Sequence, residues 1–196
     1  LGAHSLFLSL VLTMLTCLVL GMGIPTIPNY IITSSIAAPA LLELGVPLVV
    51  SHMFVFYFGI LADLTPPVAL AAFAAAPIAK ESGLKIGVRA VQIAVAGFVV
   101  PYMAVFAPEL MLQGDKGFDA TIYVFFKALL AVTLWGVAVV GFFRTPMNPI
   151  ERVLAFVAAS LLVVALPITD ELGFALASLV FGWHLWRARR LSPLTV

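Results

Sequence analysis

The sequence predicts an all-α polytopic membrane protein, in which a re-entrant helical hairpin and a discontinuous transmembrane helix precede ordinary transmembrane helices. Of its 196 residues, 63% are hydrophobic and 10% are charged, and the mean hydropathy is +1.19. A soluble domain of this size could not bury so much apolar surface. Two of the apolar stretches are also interrupted by glycine and proline, which break the helical ladder and free backbone groups that hydrocarbon cannot satisfy.

The first predicted element is the re-entrant hairpin, at about residues 4–43. Its first apolar run, residues 5–20, is shorter than the roughly 20 residues that a span needs. The segment from Gly21 to Thr26 then interrupts it, and a second short run covers residues 27–42. A single kinked helix through both runs would be about twice the length of a span, so the pattern favours a hairpin. The sequence from Glu43 to Pro47 has turn chemistry and closes this element.

The second predicted element is a broken helix at about residues 46–79, interrupted from Asp63 to Pro67. Ordinary transmembrane helices follow at about residues 88–107, 120–143, 153–168 and 172–186. The two acids in the segment from Pro167 to Glu171 predict a water-exposed loop between the last two helices. A single interfacial hairpin that does not cross the membrane is the alternative for that last pair.

The distribution of charge predicts the topology, because loops on the cytoplasmic side of membrane proteins carry an excess of lysine and arginine. With a re-entrant hairpin, residues 80–89, 144–152 and 187–196 all fall on the cytoplasmic side, and they hold eight of the ten basic residues. Most of the loop acids fall outside. Lys116 and Lys127 are exceptions, and Lys127 is expected to snorkel outward from a helix end.

Several function classes find no support in the sequence. The basic clusters read as loop anchors and indicate no binding to nucleic acid. Cys17 is the single cysteine and lies in an apolar run. It is expected simply to pack, and it supports neither a disulfide nor a metal site. The chain lacks the His-Glu-x-x-His and Gly-x-Ser-x-Gly motifs and has no paired carboxylates on one helix face, so an intramembrane hydrolase is unsupported.

The first interruption has the composition of an ion or substrate site. Gly21 and Gly23 would let carbonyl oxygens approach a cation, while Thr26 and Asn29 offer side-chain oxygens. The following half-helix points its positive N-terminal dipole toward any bound anion. A phosphate-binding loop is excluded because no lysine follows the glycines. The alternative is a glycine-proline turn that binds no ligand.

The second interruption contains Asp63, the one acid within an otherwise apolar crossing. Intramembrane carboxylates are costly and are usually paired, protonated or bound to cations. Pro66 and Pro67 remove two N–H donors and are expected to leave carbonyl oxygens of the preceding turn without partners. With Asp63 and Thr65 these oxygens would suit a hard cation such as sodium. The alternative is that Asp63 caps a helix and binds nothing.

These segments resemble the large membrane subunit of tripartite ATP-independent periplasmic (TRAP) transporters. The resemblance rests on three segments: Gly21 to Thr26, Asn29 to Pro39, and Asp63 to Leu70. The version Gly-Met-Gly-Ile-Pro-Thr is similar to the form in which the small and large membrane subunits are fused. The resemblance covers about residues 1–113, which would be the C-terminal half of the ion-coupled transport domain. Residues 114–196 resemble, more weakly, a C-terminal extension of about three transmembrane helices.

The resemblance implies a secondary transporter in the bacterial inner membrane, driven by an ion gradient that is usually sodium. It would take up a carboxylate-type solute delivered by a periplasmic solute-binding protein, would have no enzymatic activity, and would need no cofactor beyond the coupling ion. Because the chain opens at Leu1 without a leader or initiator methionine, we expect it to be the C-terminal portion of a longer permease. An intramembrane enzyme or a non-transporting helical membrane scaffold is the alternative.

The resemblance also assigns residues to roles by position. The predicted ion-binding residues, which would hold sodium rather than a transition metal, are Gly21, Gly23, Thr26, Gly59, Asp63, Thr65 and Pro66. The predicted substrate-binding residues are Pro25, Asn29, Thr33, Ser34 and Ser35. The chain departs from many members of the family at Ala71 and Ala72, where a polar residue often follows the double proline, and this weakens the assignment of substrate contacts there.

Overall fold

The computed structural model describes residues 5–164 and 166–191. About 80% of the chain is helical, and within the described residues the only strand-like feature is an isolated bridge between Phe142 and Pro146. The all-helical prediction is therefore confirmed. Residue 4, where the predicted hairpin begins, and residues 192–196, in the predicted last cytoplasmic segment, lie outside the described residues.

The chain divides into two compact units, Leu1–Lys116 (unit 1) and Gly117–Val196 (unit 2). The helices of unit 1 are α1 (Leu6–Leu20), α2 (Thr26–Glu43), α3 (Leu48–Leu61), α4 (Leu70–Ala79) and α5 (Gly83–Phe106), followed by a 3₁₀ turn at Pro108–Met111. In unit 1, α3 packs against α1, α2 and α5, while α4 packs against α5. Helix α3 therefore organises the unit.

The core of unit 1 is built on one face of α3. Phe54 and Phe58 are almost fully buried, and both rings meet the ring of Tyr102 on α5, at centroid distances of 5.3 and 5.9 Å. Leu10 and Cys17 of α1 complete the same cluster with no exposed surface. Cys17 packs in this core, as its position in an apolar run predicts.

The turn between α2 and α3 holds these helices antiparallel. The N–H of Val46 donates to the carbonyl of Leu41 at 3.1 Å, and the N–H of Gly45 donates to the carbonyl of Leu42 at 2.9 Å. These two bonds define a Schellman motif, which satisfies the last carbonyls of a helix. The structure therefore ends α2 in the segment whose composition predicts a turn.

Helix α5 begins five residues earlier than the sequence predicts. The Ser82 hydroxyl caps it by accepting a hydrogen bond from the N–H of Lys85 at 3.3 Å. Such a cap satisfies one of the free N–H groups of the first turn. In the same loop, the Lys85 ammonium and then the N–H of Ser82 lower the pKa of the Glu81 carboxyl from its usual value.

Among the described residues, two helices are long and apolar enough to cross a membrane, namely α5 and α6 (Gly117–Val140), each of 24 residues. At 1.5 Å per residue, each is about 36 Å long. Helices α1, α3 and α4 are apolar but shorter. In unit 2, α6 packs against α7 (Pro149–Val163), and α7 packs against α8 (Pro167–Leu191).

The predicted water-exposed loop from Pro167 to Glu171 is wrong, because α8 begins at Pro167 and these residues form its first turns. Proline favours the first position of a helix, and acids favour the first turn. Asp170 is buried there, and its carboxylate lies 3.0 Å from the ammonium of Lys127 and accepts a hydrogen bond from the Tyr123 hydroxyl at 2.9 Å.

The expectation that Lys127 snorkels outward is also wrong, since its side chain is only 2% exposed and paired with Asp170. The other exception to the charge alternation, Lys116, lies 3.2 Å from the buried carboxylate of Glu109. Both basic residues on the predicted outer side are therefore ion-paired with acids assigned to that same side.

Removing one partner of the pair between Lys127 and Asp170 should be strongly destabilising, because it leaves a buried charge without compensation. We expect Lys127→Met to lower the free energy of unfolding by about 3–5 kcal/mol, and Lys127→Met with Asp170→Leu to recover most of that loss. Denaturant unfolding of the detergent-solubilised protein measures this. The control Lys85→Met breaks an exposed pair with Glu81 and should change stability by less than about 1 kcal/mol. Additive losses in the double variant would contradict the pairing.

Candidate functional site

The first interruption lies against the end of α3, next to the second interruption, within unit 1. Gly21 follows α1, and Ala62 follows α3. A Cβ atom built on Gly21 would lie 2.6 Å from the Cβ of Ala62 and 2.6 Å from the Nδ2 of Asn29. Only a residue without a side chain permits this approach, so Gly21 is required by packing.

Asn29 joins α2 to α3 by a hydrogen bond close to the two interruptions. It lies in the first turns of α2 with 1% of its surface exposed, and its Nδ2 donates to the carbonyl oxygen of Gly59 at 3.1 Å. Its Oδ1 is buried and has no hydrogen-bond partner among the described residues. A buried acceptor without a partner costs roughly 1–3 kcal/mol. This oxygen is therefore available to a ligand.

The tip of the helical hairpin formed by α1 and α2 is a tight turn. Gly23 has φ +82°, a conformation that favours glycine, and its neighbours Met22 and Ile24 donate backbone hydrogen bonds to Val19 and Gly21. Helix α2 begins at Thr26 after Pro25, and no side chain caps its N-terminus. The positive end of the helix dipole is thus left without a partner from the cap residue.

The second interruption is a compact turn between α3 and α4. Thr65 Oγ1 donates to the carbonyl of Leu61 at 2.7 Å, and the peptide bond between Pro66 and Pro67 is cis. Ala69, with φ 40°, is the residue before α4, which begins at Leu70.

The expectation that the prolines leave carbonyls without partners is wrong. The Ala62 carbonyl accepts from the N–H of Thr65 and the Asp63 carbonyl accepts from the N–H of Ala71, each at 3.2 Å. A carbonyl oxygen has two lone pairs, so each retains one free lone pair.

The carboxylate of Asp63 is half-buried and forms no hydrogen bond or ion pair with any described residue. The sequence places no lysine or arginine before Lys80 in this unit. Thr65 uses its hydroxyl proton on Leu61, which leaves its oxygen lone pairs free. The break therefore carries an unbalanced negative charge next to neutral oxygens.

The three predicted substrate-binding hydroxyls in α2 do not share one face. Thr33 is buried and donates to the carbonyl of Asn29 at 2.7 Å, whereas Ser34 and Ser35 donate to Ile31 and Ile32. Successive residues of a helix turn by about 100°, so only part of this cluster can face a single ligand. Thr33, through its bond to the Asn29 carbonyl, helps to orient the backbone of Asn29.

Sequence reasoning missed two features of this region. Ala62 is the residue that Gly21 contacts, and Gly59, three positions earlier, is a second small residue, at which a Cβ would lie 2.9 Å from the Nδ2 of Asn29. The hydroxyl of Tyr30 also lies 2.8 Å from Nδ1 of His52, a second polar link between α2 and α3. The small-residue spacing is visible in the sequence, but its partner helix is not.

Two interrupted helical elements that meet inside an apolar helical unit are typical of membrane transport proteins, in which irregular backbone forms the site. The chain belongs to the DctM family: residues 1–115 match the family described as the tripartite ATP-independent periplasmic transporter, DctM component. No curated protein and no solved structure matches the chain.

Family membership confirms the predicted resemblance to TRAP permeases. The family is a membrane transporter component rather than an enzyme family, and membership implies a lipid membrane and a periplasmic binding protein as partner. The match covers the two interruptions and ends at the close of unit 1. All of unit 2 lies outside it.

Because Gly21 lies against Ala62, a larger side chain at position 21 should destabilise the fold. We expect Gly21→Ala to lower the free energy of unfolding by about 1–3 kcal/mol, as overpacking does in well-packed interiors. The matched control is Gly136→Ala in α6, where a Cβ meets nothing within 4 Å; that change should be neutral or slightly stabilising, because alanine favours a helix. Denaturant unfolding in detergent compares the two. Equal effects would show that Gly21 does not lie against Ala62.

Proposed function

We propose that the protein is the permease of a sodium-coupled secondary transporter that takes up a carboxylate solute handed over by a periplasmic binding protein. It would lie in the bacterial inner membrane as a multi-pass protein of the fused small and large type, and the rest of the permease would supply the opposing half of the site. The buried, unpartnered Oδ1 of Asn29 between two helix interruptions is the observation that supports this most strongly.

The cation site follows from the kind of oxygen atoms that the interruptions offer. Hard cations take carboxylate, carbonyl and hydroxyl oxygens. Side chains here offer one of each kind: a carboxylate oxygen of Asp63, the amide carbonyl oxygen of Asn29 and the hydroxyl oxygen of Thr65. We propose that the cation also draws on backbone or side-chain oxygens of Gly21, Gly23, Thr26, Gly59 and Pro66. Asn29 thus contributes to the cation rather than to the solute alone.

The solute requires a different part of the site. An unbalanced Asp63 would repel a carboxylate and stabilise a cation, so a solute anion would be held by the bound cation and by the uncapped N-terminus of α2. Each helix terminus contributes roughly 0.3–1 kcal/mol when exposed and up to about 2 kcal/mol when partly buried. On this side we assign to the solute Pro25 and whichever part of the cluster Thr33, Ser34 and Ser35 faces it.

The hairpin of α1 and α2 would be re-entrant, with its tip at the depth of the break after α3. The helices of this hairpin have 15 and 18 residues, or about 22 and 27 Å at 1.5 Å per residue, less than the roughly 30 Å of a hydrocarbon core. This length supports a tip that stops within the membrane. Movement of the hairpin relative to the break would then open and close the site.

Sodium coupling predicts a specific effect of Thr65→Ala. We expect the sodium concentration for half-maximal uptake to rise on the order of tenfold, the usual cost of losing a group that supports a metal site. Affinity for the solute at saturating sodium should change much less. The measurement is uptake into proteoliposomes containing the full-length permease, with the solute presented by its binding protein.

A matched control separates the site from the fold. Thr133 in α6 makes the same bond to the carbonyl four residues earlier, at 2.8 Å, and Thr133→Ala should leave the sodium dependence unchanged. An unchanged sodium dependence in Thr65→Ala would remove this residue from the cation site. Full transport under a proton gradient without sodium would overturn sodium coupling.

A further inference from the structure

We propose that unit 2 binds the headgroup of an anionic phospholipid in a cavity between the turn after α6 and the last turns of α8. The cavity has a volume of about 810 Å³. The turn contributes Phe143, Arg144 and Thr145, and α8 contributes Phe181, Leu185 and Arg189. This region lies outside the part of the chain that matches the DctM family.

Two guanidinium groups give the cavity its positive charge. Arg144 and Arg189 are both exposed, and neither forms a hydrogen bond or ion pair with any described residue. Arginine presents a planar fork of donors that fits phosphate oxygens in pairs. These two side chains are thus free to bind a phosphate group.

The remaining arginines of unit 2 are engaged elsewhere. Arg152 donates to the carbonyls of Ala138 and Val139 at the end of α6, at 2.8 and 3.0 Å. Arg187 donates to the carbonyl of Pro146 at 2.6 Å, and Arg190 lies over the ring of Trp186 at 3.8 Å. The two free guanidinium groups are therefore the two that line the cavity.

The apolar wall of the cavity favours an amphiphile over a free anion. The rings of Phe143 and Phe181 meet at 5.2 Å, and Leu185 continues this surface along α8. A phosphate ion gains nothing from such a wall, whereas the glycerol and first methylenes of a lipid bury apolar area against it. The positive charge of the two guanidinium groups and the apolar wall of the cavity together fit a phospholipid, which has a phosphodiester and acyl chains.

The turn that forms the cavity is fixed by buried contacts. The N–H of Met147 donates to the carbonyl of Gly141 at 2.8 Å. The carboxylate of Glu151, with no exposed surface, lies 2.8 Å from Arg187 and 3.3 Å from His184. His184 in turn lies 3.4 Å from the hydroxyl of Thr145 in the cavity wall. The turn and the part of α8 that carry Arg144 and Arg189 are thus held in place before a ligand binds.

The surroundings indicate that the ligand comes from the bilayer. Trp183 and Trp186 are exposed beside the cavity-lining residues of α8, and tryptophan is enriched where membranes meet water. Basic residues next to the ends of membrane helices attract anionic lipids of the adjacent leaflet.

The test is native mass spectrometry of the full-length protein in detergent, titrated with phosphatidylglycerol and, separately, with phosphatidylcholine. We expect phosphatidylglycerol to be retained more strongly. The double variant Arg144→Gln with Arg189→Gln should weaken its binding about 25-fold, since one basic residue near the surface contributes roughly fivefold. The matched control Arg190→Gln removes the next arginine of α8, which stacks on Trp186 and does not line the cavity, and should change binding much less.

A second variant tests the apolar wall while both guanidinium groups remain. Leu185→Gln should also weaken the binding of phosphatidylglycerol, and inorganic phosphate at millimolar concentration should not displace the lipid. The proposal is overturned if Arg190→Gln matches the double variant, if both lipids bind equally, or if inorganic phosphate competes, which would indicate a plain anion site.

Discussion

The hydrogen bond from Nδ2 of Asn29 to the carbonyl of Gly59 is the interaction on which the arrangement of unit 1 depends. It holds the start of α2 against the end of α3, where the missing side chain of Gly21 permits the contact with Ala62. It also orients the amide, because a reversed amide would place two acceptor oxygens against each other. The Oδ1 atom is thereby left buried and free to bind a ligand.

The buried charges of the two units serve different purposes. In unit 2, Asp170 is paired with Lys127, and Glu151 receives donors from His184 and Arg187. These pairs join helices, and their buried charges are balanced. In unit 1, the carboxylate of Asp63 has no such partner among the described residues, and uncompensated charge in a membrane protein usually marks an ion pathway. This contrast supports our proposal that unit 1 binds the coupling ion.

The sequence predicts the positions of both interruptions well, because glycine and proline act locally on the backbone. It fails where a distant partner decides the outcome. The acids after Pro167 predict a loop because the sequence does not show that Asp170 pairs with Lys127, 43 residues away. The carbonyls before Pro66 and Pro67 are expected to be free because the sequence does not show that the N–H groups of Thr65 and Ala71 donate to them. The closeness of Gly21 to Ala62 likewise needs the packing of α1 on α3.

The most direct test of the cation site is the sodium-dependent rise in melting temperature of the purified full-length permease, with potassium chloride at equal ionic strength as reference. A ligand that binds only the folded protein stabilises it. We predict that sodium stabilises the unmodified protein and the control Gln113→Ala, an exposed amide outside the site, but not Asn29→Ala. An undiminished sodium effect in Asn29→Ala would contradict the account.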